Sequence, residues 1–334
     1  MDEVEVMASQ VEEAKGELPL VTFALFAYNQ EKYIREAVEA ALAQTYEPLQ
    51  IILSDDNSTD GTFKVISSIA EAYTGPHTIV LNRNPENLGI GGHINEVMTI
   101  SEGELIVVAA GDDISDPNRT KVLFDVWNKN GRRAISIFSA MRIIDRDSRA
   151  TGKISRSLRK WNQISAKDML KGSFAVSGAS HAWSPALFSR FRPMNKNIIN
   201  EDHVIPFRAA LLGGVLYVDE VLVSYRAHMG IASNYAGSSK PSYTQRRAAS
   251  ILVRPYRISV QKYSDIKHMV RTDMLEAAKI RRAEDLFRYW LSSERRLSSR
   301  KAAFFLRRCR MIWLIRESAH WVRYSAENHF LGAR

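Results

Sequence analysis

The most restrictive feature of this chain is a repeated alternation. Four short apolar runs, at 21–27, 50–54, 78–82 and 104–110, are separated by stretches whose apolar residues recur at helical spacing. Ile34, Ala37, Val38, Ala41 and Leu42 share one helix face. So do Ile66, Ile69, Ala70 and Tyr73, and again Ile90, Ile94, Val97 and Met98. Pro117 behind Asp116 predicts the first turn of a fourth helix, running through Val122, Leu123 and Val126. A continuous apolar run must be covered on both faces, and helices above and below a sheet do this. The expected fold class is α/β: a mostly parallel sheet with helices on both faces.

In such sheets ligands collect beyond the carboxyl ends of the strands, where strand order reverses. There the sequence turns polar: Tyr28-Asn29-Gln30 after the first run, Asp55-Asp56-Asn57-Ser58-Thr59-Asp60-Gly61 after the second, Gly111-Asp112-Asp113 after the fourth. Asp112-Asp113 has two readings. Aspartates are common in turns and caps for backbone reasons alone. The pair also suits a divalent cation, since Mg²⁺ and Mn²⁺ take carboxylate oxygen and share their sphere with substrate phosphates. Two acidic loops in one cleft repel each other unless a cation holds them, which favours the second reading.

The chain has 334 residues, 45% hydrophobic and 25% charged, enough for a large globular core in about two domains. Its single cysteine, Cys309, excludes a disulfide framework and a cysteine-based zinc site. No run reaches the ~18 apolar residues of a membrane span. The acidic residues 1–17 lack the basic start and apolar middle of a secretory signal and are expected to be disordered. The expected location is the cytoplasm, free or peripheral on the cytoplasmic face of the inner membrane. Residues 240–334 hold 22 Lys+Arg against 8 Asp+Glu, whereas residues 1–239 hold 24 against 29. The net charge of +9 thus belongs to the last third.

The ordered set of motifs resembles family 2 glycosyltransferases, nucleotide-sugar-dependent enzymes of the GT-A fold. The resemblance runs from about Pro19 to His228. Its pieces are Val21-Thr22-Phe23 through Ala27-Tyr28-Asn29-Gln30-Glu31, then Leu53-Ser54-Asp55-Asp56-Asn57-Ser58. Asn87-Leu88-Gly89 with Asn95, Ala110-Gly111-Asp112-Asp113 with Pro117, Glu201-Asp202 and Tyr225-Arg226-Ala227-His228 follow. By that resemblance Asp56 pairs with the imide of a uracil or thymine base, and Ala27 and Tyr28 wall the base and ribose. Asp112 and Asp113 hold Mn²⁺ or Mg²⁺ against the diphosphate, with His228 as a further ligand. Asp202 is the catalytic base. Many members carry a carboxylate where this chain has Ala110, which leaves open whether Asp112 or Asp113 is the main ligand.

The implied domain plan is a GT-A domain over 18–239 and a basic α-helical region over 240–334. The implied donor is a UDP- or dTDP-sugar, and the acceptor a glycan or lipid-linked hydroxyl, in bacterial surface polysaccharide synthesis. Direct displacement inverts the anomeric centre. Asn200 is a candidate N-cap for a helix closed by Gly213-Gly214, and its dipole keeps Asp202 ionised. Two alternatives stand: a nucleotidyltransferase on a related fold, and a catalytically silent nucleotide-sugar-binding protein.

Other features are secondary. Gly89-Ile90-Gly91-Gly92 lacks the third glycine of a dinucleotide loop and reads as a tight turn before a helix; His93 behind it reads as structural. Glu201, Arg226 and Trp183 are candidate donor or acceptor contacts, Trp183 by stacking on a sugar. Residues 134–143 read as a strand, 145–160 as a loop and 215–225 as a strand. In the tail, Ile280, Ala283, Phe287, Trp290 and Leu291 share one helix face, and Phe305, Cys309, Ile312 and Trp313 another, amid arginines. Over 271–324 this suits a helical cap or a helix lying on an anionic membrane surface. No nucleic-acid recognition motif is present, and nucleic acid is not an expected partner.

Overall fold

The structure is a computed structural model that describes residues 18–133, 136–171, 176–227 and 254–271. His228, Cys309 and the tail beyond Arg271 lie outside the described residues, as do residues 1–17.

The expected alternation is present. Strand β1 (Val21–Ala27) leads to helix α1 (Ile34–Leu42), β2 (Leu49–Asp55) to α2 (Thr62–Glu71), β3 (Thr78–Arg83) to α3 (Gly89–Ile100), and β4 (Leu105–Ala110) follows. All four strands are mutually parallel in the order β3-β2-β1-β4. β1 and β2 are buried at every residue, as expected of mainly apolar strands covered on both faces. One face packs Phe23, Leu25, Ile51 and Leu53 beneath Ile34, Val38 and Ile66, with Leu123 and Phe124 joining them. Each fully buried Leu or Ile contributes roughly 1.5–3 kcal/mol. The other face meets α3, whose His93 ring stands edge-on to Phe26 at 4.9 Å.

After β4 comes the short β5 (Ile114–Ser115) and helix α4 (Arg119–Lys129). This helix starts two residues later than expected. Asp116 accepts hydrogen bonds from the backbone N–H groups of Asn118 and Arg119, so Pro117 sits in a turn before the helix. β6 (Ser136–Ile144) follows, and residues 145–160 are not all loop: β7 (Ala150–Ser155) pairs antiparallel with β6. β7 is exposed at every position, so no hydrophobic periodicity marks it. Next come α5 (Ala166–Lys171), β8 (His181–Trp183), α6 (Ala186–Ser189), α7 (Glu201–Leu212), β9 (Val215–Arg226) and α8 (Arg254–Arg271). Beyond β4 the sheet is of mixed direction, in the order β4-β8-β6-β9-β5. β8 runs antiparallel to β4 and β6, and β6 runs parallel to β9.

Strand order reverses at β1, between β2 and β4. Register aligns Ala27 with Asp55, Asp55 with Arg83, and Phe26 with Ala110, so the polar loops leave one sheet edge at one level.

Candidate active site

The first two loops are sewn to each other. Asn29, at φ 51°, donates its N–H to Ser58 Oγ at 2.9 Å, and its Oδ1 accepts from Thr59 N at 2.9 Å. Asp55 accepts from the backbone and hydroxyl of Ser58, and Gln30 N donates to Thr62 Oγ1 at 2.8 Å. The Asp56 carboxylate is fully buried and accepts from Asn84 Nδ2 at 2.6 Å, Leu88 N at 2.9 Å and Gly89 N at 3.0 Å. It thus caps the N-terminus of α3, where a negative charge is favoured. Gly89 takes φ +72° to present that N–H.

Gln30 joins this unit to the second acidic loop. Its Oε1 accepts from Tyr28 N at 3.2 Å, and its Nε2 donates to Asp112 Oδ1 at 2.7 Å. Gly111 must be small here: a Cβ would stand 2.6 Å from Gln30 Oε1 and 2.8 Å from Ile34 Cδ1.

Asp112 and Asp113 are 1% and 4% exposed. Asp113 Oδ1 accepts from Arg226 N at 2.8 Å, while Asp112 Oδ2 is buried without a hydrogen-bond partner. Burial raises the Asp112 carboxyl to about 7, partly opposed by Arg226 and Gln30. Burial and then the Asp112 charge push Asp113 well above the carboxylate range. Two adjacent carboxyls, one with an orphaned buried oxygen, fit a hard divalent cation that takes its remaining ligands from diphosphate and water. Among the described residues no group of three His, Cys, Asp or Glu surrounds one point.

Arg226 locks this loop. Its fully buried guanidinium donates Nε to Asp112 O at 2.9 Å, one terminal nitrogen to Asp145 O at 3.0 Å and Ser148 Oγ at 3.1 Å, and the other to Glu36 Oε2 at 3.1 Å. It also lies 4.4 Å from the Tyr33 ring centre. These partners are internal, Glu36 among them, and Arg226 is not among the walls of the cavity described next.

A cavity of about 190 Å³ opens beside Asp112 and Asp113. Asn200, Glu201 and Asp202 face it from the start of α7, with Phe26, Ile90, His93, Trp183 and Tyr225 among its walls. Asn200 occupies the N-cap position without making a side-chain cap bond. Pro206 has no N–H to give the carbonyl four residues earlier, and that Asp202 oxygen accepts from Val176 N at 3.2 Å instead. Burial, and then Asp202, raise Glu201 to about 8. A Cβ at Gly178 would stand 2.7 Å from Glu201 Oε1, so glycine makes room for this carboxyl.

The structure therefore brings Asp112, Asp113, Glu201 and Asp202 to one cavity. Ala27 and Asp56 lie deeper, joined by a 2.9 Å hydrogen bond from Asp56 N to Ala27 O, and Tyr28 follows half-buried. Trp183 is a wall of the cavity, but its ring is 1% exposed, edge-on to His181 at 5.0 Å and tilted against Phe188 at 5.8 Å. His93 is structural as expected: its Nε2 lies 2.6 Å from Ser54 Oγ, and burial lowers its pKa to about 4. Sequence reasoning assigns no role of their own to Gln30, Glu36 and Tyr225. Tyr225, next to Arg226 in the chain, is half-buried beside Asp113, Asp112 and Asp202, and burial followed by those charges raises its pKa.

A sequence profile of glycosyl transferase family 2 matches residues 22–190. An uncharacterized glycosyltransferase of Rickettsia typhi is 26% identical over 229 residues, 67% of this chain and 69% of that protein. Chondroitin synthase of Escherichia coli is 33% identical over 130 residues, 39% of this chain and 18% of that protein. Among solved structures, S. aureus TarS superposes with a TM-score of 0.53 at 12% identity, over 82% of this chain and 43% of that one. TarS 1-349 in complex with UDP-GlcNAc gives 0.50 at 16% identity, over 84% of this chain and 92% of that one. At such identities the likeness is one of fold.

Proposed function

The chain belongs to glycosyl transferase family 2 and is a glycosyltransferase of the GT-A fold, and we propose that it is a metal-dependent, inverting one that uses a UDP- or dTDP-sugar. The acceptor is a hydroxyl of a glycan or lipid-linked sugar, in bacterial surface polysaccharide synthesis on the cytoplasmic face of the membrane. Among the described residues no helix is long and apolar enough to cross that membrane.

The carrying observation is the buried, unpartnered Asp112 Oδ2 on the wall of a cavity shared with Asp202. Asp112 and Asp113 hold Mn²⁺ or Mg²⁺, with Asp112 the principal ligand because its Oδ2 is buried without a hydrogen-bond partner. His228 is the candidate third ligand. A bound cation supplies electrostatic stabilisation of the leaving diphosphate. The chain's own residues do the rest. Ala27, Tyr28 and Asp56 receive the base and ribose on a loop pair that is already ordered, so little entropy is lost on binding. Asp202, in the first turn of α7, accepts the proton of the attacking hydroxyl at its carboxylate. Glu201, raised to about 8, is protonated at neutral pH and can donate to a sugar hydroxyl. Attack from the face opposite the diphosphate inverts the anomeric centre.

The test is a screen of nucleotide sugars with Mn²⁺ for released nucleotide, followed by Asp202→Asn on the active donor. The reading expects Mn²⁺-dependent release from a UDP- or dTDP-sugar. No release from any donor, with nucleotide binding retained, would favour a silent binding protein.

A further inference from the structure

The profile match ends at residue 190, before both Asp202 and α8. Yet α8 reaches the segment that delivers Asp202. Residues 192–200 form a strap between α3 and α8. On the α3 side, Asn95 Nδ2 donates to Met194 O at 2.7 Å, Met194 N donates to Asn95 Oδ1 at 2.9 Å, and Gly91 N donates to Ile198 O at 3.0 Å. The approach is so close that a Cβ on Gly91 would stand 2.5 Å from Asn195 O. On the α8 side, Asn195 N donates to Gln261 Oε1 at 2.9 Å, and Arg257 donates to Asn197 O at 3.2 Å.

Gln261 is itself held. Its Nε2 donates to Asp265 Oδ1 at 3.0 Å, and Asp265 takes a two-pronged contact from Arg208 of α7, both distances 2.9 Å. Arg208 and Asp265 are fully buried. α8 therefore grips α7 twice, through the body of the helix at Arg208 and through the strap that runs into its first turn. A planar guanidinium fork fixes orientation as well as distance. The first turn so oriented carries Glu201 and Asp202 into the cavity.

We propose that α8 belongs to the transfer machinery, with Gln261 and Asp265 as positioning residues that set the Asp202 carboxylate against the acceptor hydroxyl. This rests on the reading of Asp202 as the base. The nucleotide loops hang from β1, β2 and β4 and make none of these contacts, so losing the clamp slows transfer and leaves donor binding intact. A misplacement of about 1 Å far from the chemistry can cost on the order of 100-fold.

Gln261→Met keeps the side chain's length and removes both its hydrogen bonds; Asp265→Asn tests the fork. Three measurements on the full chain decide the matter: UDP binding with Mn²⁺ by calorimetry, hydrogen exchange by mass spectrometry, and turnover of the donor found by the screen. In Gln261→Met, UDP affinity stays within twofold, peptides covering 192–203 exchange at least tenfold faster, peptides of β1 and β2 are unchanged, and kcat falls at least tenfold. Unchanged exchange at 192–203, unchanged kcat, or UDP binding lost in step with kcat would each overturn the proposal. Asp202→Asn runs alongside: if it turns over normally, the reading of the base fails, whatever Gln261→Met does.

Discussion

The two sides of the cavity are held by different means. On the proposed nucleotide side, Asn29 and Gln30 after β1 bond to Ser58 and Thr62 after β2, two neighbouring parallel strands. On the proposed transfer side, the strap that leads into Glu201 and Asp202 and the helix behind them are held by partners far along the chain: Asn95 on Met194, Gln261 on Asn195 and Asp265 on Arg208. The first arrangement follows from strand register, and binding built on it needs little further ordering. The second needs α7, α8 and the strap to dock before its carboxylates are placed. Binding and transfer should therefore be separable by mutation.

The largest separation is expected from Asp202→Asn. Removing a general base costs ~10²–10⁴ in rate, so kcat should fall by about that much while Mn²⁺-dependent UDP affinity stays within a few-fold. Parallel loss of both, by calorimetry and turnover, would make Asp202 a structural residue.

Arg226→Met should hit the binding side. It removes the donors that hold Asp112 O, Asp145 O and Ser148 Oγ, at a cost of about 3–5 kcal/mol of stability in thermal or urea unfolding. Mn²⁺ affinity should fall with it. A variant that unfolds earlier but binds Mn²⁺ normally would show that the acidic loop does not need this lock.

Two glycines sharpen the contrast at smaller amplitude. Gly111→Ala forces Gln30 away from Asp112, and Gly91→Ala forces the strap away from α3. Each should cost ~1–3 kcal/mol of stability. Gly111→Ala should weaken metal and nucleotide binding, whereas Gly91→Ala should slow transfer with binding kept. Equal effects of both on both readouts would mean the two sides form one unit.

The smallest effect is on pH. The Asp112 carboxyl is raised from 3.8 to about 7, so between those values the folded metal-free protein binds more protons than the unfolded chain. Its stability should therefore fall as pH rises from about 4 to 7, and Mn²⁺ should restore it at the upper end. Protons compete with the metal below about 7, so Mn²⁺ affinity should rise about tenfold from pH 6 to pH 8. A flat profile would mean that Asp112 is ionised throughout.

Local patterns carried the binding side into view. β1 to β4 are short, mainly apolar runs, and the two acidic loops follow β2 and β4 directly in sequence. Gln30 escaped because its partner Asp112 is 82 residues away. The transfer side was legible only as Glu201-Asp202 and the helix behind them. Its supports were not: Arg208 and Asp265 are separate charged residues until folding buries them together. The burial of Trp183 is not legible, because an aromatic residue near a site looks the same in sequence whether its face is open or packed. β7, exposed throughout, carries no periodic signal at all.

The central claim is that Asp112 and Asp113 bind a divalent cation for a nucleotide diphosphate. Calorimetric titration of UDP with and without Mn²⁺, in the natural protein and in Asp112→Asn, tests it directly. The account predicts tight binding only for the natural protein with Mn²⁺ present. UDP binding equally well without metal, or undiminished in Asp112→Asn, would contradict it.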